Sequence, residues 1–226
     1  MLPSNQFFEH MPYIYLCCSA TGVIDSCNQY TLKNSATDEN GLLAENIVNN
    51  FHPDDRAEVS AALKTQTGAP NTQHIHRWKK NNDTYFWCKW QWTSEDETNN
   101  IYIMGEDISH QKRIESAFLA LEEVTDTGYW EIDLDTRVLF WSQKVHEIHE
   151  TDSSEFAPSI DDAMQFYHPD SIEPLSTALT VLEQTGKPYD LDLKFKTYLD
   201  NELIVNVHGF SETSNGRVLR NFGTFK

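Results

Sequence analysis

Two near-identical phrases place a His beside acidic residues. FHPDDRAEVSAAL begins at Phe51, and YHPDSIEPLSTAL begins at Tyr167, 116 residues further on. A His next to carboxylates is the composition of an acid–base pair or of half a metal site. Either chemistry needs further donors converging on the same point, and none stands at ligand spacing nearby. The same residues suit the start of a helix. Pro53 has a fixed φ, lacks an N–H and disfavours helix at the residue before it. Asp54 and Asp170 are placed to cap the free N–H groups of the helix that follows, and Asp55 and Ser171 suit the same end. The phrase therefore reads as a helix start used twice.

Other residues invite chemistry in smaller groups. His74 and His76 lie two apart on one face of a strand, and His146 and His149 lie three apart on a short helix. Each pair supplies two metal ligands, but no cluster of Cys, His or carboxylate completes either, so no metal is assigned. His110, in ISHQKR, lacks the acidic and leucine context of a phospho-accepting His and reads as a solvated helix residue. No GxGxxG, GxxxxGK[ST] or GxSxG phrase occurs, and no catalytic residue is assigned. Alternation along TYFWCKWQW puts Cys88, Trp90 and Trp92 on one face and Trp87 on the other. Such an aromatic face either lines a pocket or fills a core. Trp130, Trp141 and Phe166 pose the same choice in the second half.

The elements that must position these residues come from a duplication. The chain has 226 residues, enough for one or two domains. Downstream of each HPD phrase runs an amphipathic stretch ending in QTG, at Gln66–Gly68 and Gln184–Gly186, and then three strand-like segments. Leu191, Leu193 and Phe195 share one strand face, as do Val205 and Val207. Polar turns such as NND, LDN, SEDETNN and SETSNG separate the segments. Upstream, each half opens with a hairpin, turning at Thr21–Gly22 and near Asp135–Thr136. Each half is thus an α+β unit of about 110 residues with one five-stranded antiparallel sheet. Between them, Asp107 to Asp126 has no Gly or Pro and reads as a helix. Ile114, Phe118 and Leu121, spaced four then three, make a narrow apolar stripe suited to a helix dimer seam or to packing on the helix's own domain. At the start, SNQFFEHM reads as a short helix capped by Ser4, with Phe7 and Phe8 packing.

Composition narrows the partners. A net charge of −18 repels polyanions and argues against nucleic acid or an anionic membrane face. Apolar runs are too short to span a bilayer, and no secretory signal is visible. The four cysteines, Cys17, Cys18, Cys27 and Cys88, lie in the first half and form no CxxC pair, which fits a reduced cytoplasmic compartment.

In order, spacing and duplication, the chain resembles a tandem pair of PAS sensory domains of a bacterial signal-transduction protein. GVIDSCN, ending in Asn28, resembles that family's second strand. FHPDD resembles its phrase before the long helix, and GEDISHQKR, with Asp107 as its acid, resembles the junction of last strand and exit helix. GYWEIDL and LFWS, through Trp130, Trp141 and Ser142, resemble the opening strands of a Trp-rich subgroup. The chain departs from the family in lacking a Gly in the helical region after the second strand, where the second half has EIHET with His149. The resemblance implies a first PAS-like domain over residues 1–112 with the short N-terminal helix, a connecting helix over 107–126, and a second domain over 127–226 that stops before its exit helix. The fold class is α+β, two such domains in tandem, each with helices on one face of its sheet.

The resemblance also implies a function: a non-enzymatic sensory and dimerisation module, working as a homodimer and followed in the full-length chain by an output domain, most often a histidine kinase or a diguanylate cyclase. The rival reading is a ligand-free protein–protein scaffold with filled cores. The flavin-binding light sensors of the family carry a Cys in an NCRFLQ phrase that has no match here, and Cys27 is on the wrong element. A haem needs an axial His, for which His74, His76, His208, His146 and His149 are the candidates. Flavin and haem are disfavoured, which leaves a small organic ligand or no cofactor.

Overall fold

A computed structural model of the protein describes residues 9–36, 39–65, 72–80, 84–94 and 100–226. The N-terminal helix built on Ser4, Phe7 and Phe8 lies outside them, as do the first QTG and the NND turn. The described chain forms two compact units that divide between Glu115 and Ser116.

The first unit holds β1 (Ile14–Cys18), β2 (Ile24–Cys27), α1 (Gln29–Lys33), α2 (Glu39–Leu42), two 3-10 turns (Ile47–Asn50 and Pro53–Asp55), α3 (Arg56–Thr65), β3 (Thr72–Lys80), β4 (Thr84–Ser94) and β5 (Ile101–Asp107). Helix α4 (Ser109–Thr125) crosses the division. The second unit continues with β6 (Gly128–Asp133), β7 (Leu139–Trp141), α5 (Gln143–His149), α6 (Ile160–Gln165), α7 (Pro169–Thr185), β8 (Tyr189–Lys196), β9 (Glu202–Ser214) and β10 (Arg217–Phe225). Both sheets are antiparallel and five-stranded, with orders β2-β1-β5-β4-β3 and β7-β6-β10-β9-β8. The opening hairpin of each unit therefore docks beside its last strand, and the final three strands form a meander.

Period-two alternation sets the inner faces. Leu191 pairs with Val207 and Leu193 with Val205 across β8 and β9. Cys88, Trp90 and Trp92 are buried while Trp87 faces outward, beneath the Arg77 guanidinium and the Lys112 ammonium. In the first unit the inner face packs against Leu42, Ile47, Val59 and Leu63 from the helical side. In the second, Leu175 and Leu182 of α7 do the same. Close sheet packing explains Gly223: a Cβ there would meet the His208 carbonyl oxygen at 1.8 Å.

The HPD joints work differently from the cap assigned to Asp54 and Asp170. The capping acceptors are the preceding histidines. His52 Nδ1 accepts the Asp54 N–H at 3.2 Å, and His168 Nδ1 accepts the Asp170 N–H at 3.3 Å. The reason is register: with Pro in the first position, the His is the cap residue and the Asp stands one residue past the proline, inside the first turn. The acidic side chains turn to the neighbouring strand instead. Arg77 of β3 donates to both Asp55 oxygens, at 2.6 and 3.1 Å, and to Asp54 at 3.3 Å. In the second unit Lys194 of β8 bonds Asp170 at 2.9 Å. The His52 and His168 N–H groups donate to the carbonyls of those same strand residues, Arg77 and Lys194. Each HPD phrase thus clasps a helix start to a sheet edge.

Candidate functional site

The second unit has a partly open cavity of about 50 Å³ between its sheet and helices. Alternation along β6 turns Trp130 and Ile132 inward; Trp141 ends β7; His149 ends α5; Ala163 and Met164 come from α6; Tyr189 comes from β8. The lining contains no carboxylate, Lys, Arg, Ser or Cys. At about 10–15 Å³ per water-sized position, the space takes a few waters or a small organic group. Met164, unbranched and adaptable, is the wall residue best able to move for something larger.

His149 is almost wholly buried, and its ring lies 3.9 Å from the Trp141 ring, with Phe166, Phe195 and Phe225 around it. Its Nδ1 lies 2.8 Å from the Val145 carbonyl, which fixes Nδ1 as the donor and leaves Nε2 as an acceptor. Burial lowers its pKa to about 4, against the opposing pull of that carbonyl. The imidazole is therefore neutral at physiological pH. The helix ends just beyond it at Glu150, whose backbone is left-handed (φ 57°) and whose carboxylate accepts from Thr197 and Asn201. Among the lining groups the Trp130 indole N–H has no hydrogen-bond partner and is buried. An unsatisfied donor inside a core is costly, and a ligand with one acceptor would relieve it. The lining is thus mostly apolar, with one buried unpaired donor, the Trp130 indole N–H.

The structure distributes the sequence candidates unevenly. Trp130 and Trp141 line the cavity. Phe166 does not; it stands behind the wall, in ring contact with Trp141, His149 and Phe195. In the first unit Trp90 and Trp92 are wholly buried, with Trp90 in ring contact with Phe51 and Trp78. Those contacts are the core-filling alternative. Burial pushes the Cys88 thiol far up, and all four cysteines are free, so Cys88 is no ready thiolate. His146 and His149 are buried, and the Nδ1 atoms of both are occupied, that of His146 by Thr151 Oγ1. His74 and His76 stack on the inner face of β3, and Glu58 of α3 approaches as a third donor. No spacing in the sequence shows that donor, because helix and strand meet only in the fold.

The connecting helix is fastened at both ends. In the first unit, Asp107 Oδ1 accepts the Ser109 N–H at 2.8 Å and Ser109 Oγ accepts the Trp87 N–H at 3.1 Å. In the second, the buried Glu122 carboxylate accepts the Tyr129 N–H at 3.1 Å, and Lys144 reaches Glu123, Asp126 and Glu147. Ile114 and Leu121 are 58% and 62% exposed, and Phe118 is partly covered by Tyr129.

No protein-family model matches this sequence, and no curated protein does. Solved structures do. They include the PAS domain of an HTR-like protein from Haloarcula marismortui, 16% identical over 45% of this chain and 86% of that one, with a TM-score of 0.41. Another is the N-terminal domain of a diguanylate cyclase with PAS/PAC sensor from Marinobacter aquaeolei, 13% identical over 44% of this chain and 93% of that one, TM-score 0.41. A third is an RNA-binding light-oxygen-voltage receptor, 15% identical over 44% of this chain, TM-score 0.42; the chain spans 28% of that receptor's length. Two strands, helices and a three-stranded meander closing one antiparallel sheet recur in both units. The two units share one α+β fold, each a five-stranded antiparallel sheet with helices. Among the described residues, no helix is long and apolar enough to cross a membrane.

Proposed function

We propose that the chain is a sensory and dimerisation input module of a signalling protein, with the second unit's cavity as the ligand site and α4 as the transmitting element. One observation carries this reading. Tyr129, whose N–H is held by Glu122 of α4, is the immediate neighbour of Trp130, whose indole forms the cavity wall. A ligand that engages the Trp130 N–H shifts the strand to which the helix is bonded. Such a signal needs only a differential affinity for two arrangements, about 1–3 kcal/mol. The exposed stripe of Ile114, Phe118 and Leu121 is the seam along which a second copy packs, so that a helix shift in one chain is felt by its partner. The output domain, a histidine kinase or diguanylate cyclase, follows in the full-length protein.

Native mass spectrometry of the purified chain tests both parts. The wild type is expected at twice the chain mass of 26.1 kDa, with a small organic adduct. Ala163→Phe, which fills the cavity, keeps the double mass and loses the adduct. Ile114→Glu with Leu121→Glu keeps the adduct and falls to single mass. A single-mass wild type would remove the seam, and an adduct surviving Ala163→Phe would remove the cavity as the ligand site.

A further inference from the structure

The strongest unexplained polar cluster lies in the first unit, away from the cavity. His74 and His76 stand side by side on the inner face of β3, rings stacked with centroids 5.7 Å apart. Across from them is Glu58 of α3, whose Oε1 lies 3.4 Å from His76 Nε2. One ligand-capable atom from each of the three lies within 4.8 Å of the others. His76 is 2% exposed, yet neither of its ring nitrogens has a hydrogen-bond partner, and the buried His74 Nε2 has none either. The 3.4 Å approach of Glu58 lacks hydrogen-bond geometry.

Three imidazole nitrogens left unpaired in one corner of a core need a physical reason, because each orphan costs about 1–3 kcal/mol. Packing supplies none, since leucines in the same places would cost nothing of the kind. We infer that Glu58, His74 and His76 form a binding site for a borderline divalent cation, Zn²⁺ above all, which ties α3 to β3. Two neutral imidazoles and one carboxylate are the donor set such ions prefer. Tetrahedral bonds of about 2.0–2.1 Å put neighbouring ligand atoms about 3.3 Å apart, close to the Glu58–His76 separation. The Glu58 side chain is 71% exposed, so the ion's remaining position faces solvent and takes water. The remaining separations, within 4.8 Å, involve His74, so binding one ion draws in the His74 ring together with the exposed Glu58 side chain.

The test uses the untagged full chain, stripped with chelator and titrated with Zn²⁺ by calorimetry and with Co²⁺ by visible absorption. One Zn²⁺ per chain is expected, together with the intense visible bands of a Co²⁺ ion in a low-coordinate nitrogen–oxygen site. Glu58→Gln and His74→Gln serve as the variants, because both residues reach the accessible side of the cluster, whereas His76 is core. Circular dichroism confirms that each folds. Since losing even a group that only hydrogen-bonds a metal ligand costs about 10–100-fold in metal affinity, loss of a ligand is expected to weaken Zn²⁺ binding at least about 100-fold in each. No saturable binding by the wild type, or a loss below about tenfold in either folded variant, overturns the site.

Discussion

Trp90→Ala lowers the unfolding free energy of the first unit by about 3–5 kcal/mol, the range for truncating a buried Trp to Ala. Several terms add. The indole is wholly buried, and burying a large aromatic removes about 150–250 Å² from water, worth about 4–6 kcal/mol at 25 cal/mol per Å². It also fills a space that cannot collapse. Phe51 and Trp78 lie 5.0 and 5.1 Å away by ring centroids, and each is pinned by its own place in the sheet and the HPD joint. On the opposite side the ring lies over Gly105, where a Cβ would come within 2.6 Å of it. The indole N–H donates to the His76 carbonyl at 3.3 Å, and truncation removes that bond too. Against a typical domain stability of about 5–15 kcal/mol, this is a large fraction. Urea unfolding followed by hydrogen exchange, read on peptides of each unit, checks it. A loss below about 1 kcal/mol would show that the first core is loosely filled, which would favour a pocket behind Trp90.

The second large effect is a loss of stability of the second unit on mild acidification, centred on His149. Its folded pKa of about 4 lies below the ordinary 6.5 because burial disfavours the charged ring. Between those values the unfolded chain binds a proton that the folded chain refuses. Stability therefore falls as the pH drops from about 6.5 towards 4, and is fully present above that window. The expected contribution is about 2 kcal/mol lost at about pH 5 and about 3 kcal/mol by about pH 4. His146, also lowered by burial, adds with the same sign. The carboxylates held low in this unit, Asp133, Glu150, Asp152 and Asp170, act only below the ordinary carboxylate range, so the window above it belongs to the histidines. His149→Gln, which can still donate to the Val145 carbonyl but cannot titrate, is expected to flatten most of the dependence of the urea midpoint on pH. An unchanged pH profile in that variant would place the linkage elsewhere.

Much of the fold was legible in the sequence, and the reason is local. Alternation in DLDLKF and IVNVHGF identifies inner faces without knowledge of what packs on them, and the duplicated HPD phrase marks the same joint in both halves. The tandem α+β architecture and both five-stranded sheets follow from those signals. What was not legible depends on register or on distance. The cap falls on His52 and His168 rather than on the aspartates because one residue of register decides which side chain faces the free N–H groups. His149 sits in a polar-looking heptapeptide, yet the left-handed turn at Glu150 and the wall of Phe166, Phe195 and Phe225 bury it. Trp130, Trp141 and Phe166 are alike in type, yet Trp130 and Trp141 line the cavity while Phe166 stands against His149 and Phe195, a difference of neighbours that type and spacing do not encode. Glu58 joins His74 and His76 only because α3 crosses β3, a contact that no motif encodes.

In the proposed function, the state of the second unit's cavity reaches α4 through the Tyr129–Glu122 bond. Backbone hydrogen exchange of α4, compared between the wild type as purified and Ala163→Phe, tests it most directly. A coupling of about 1–3 kcal/mol changes amide protection about 5–150-fold, and a change of at least fivefold is expected over residues 119–125, together with the cavity lining. A change confined to the lining, with α4 exchanging alike in both proteins, would contradict it.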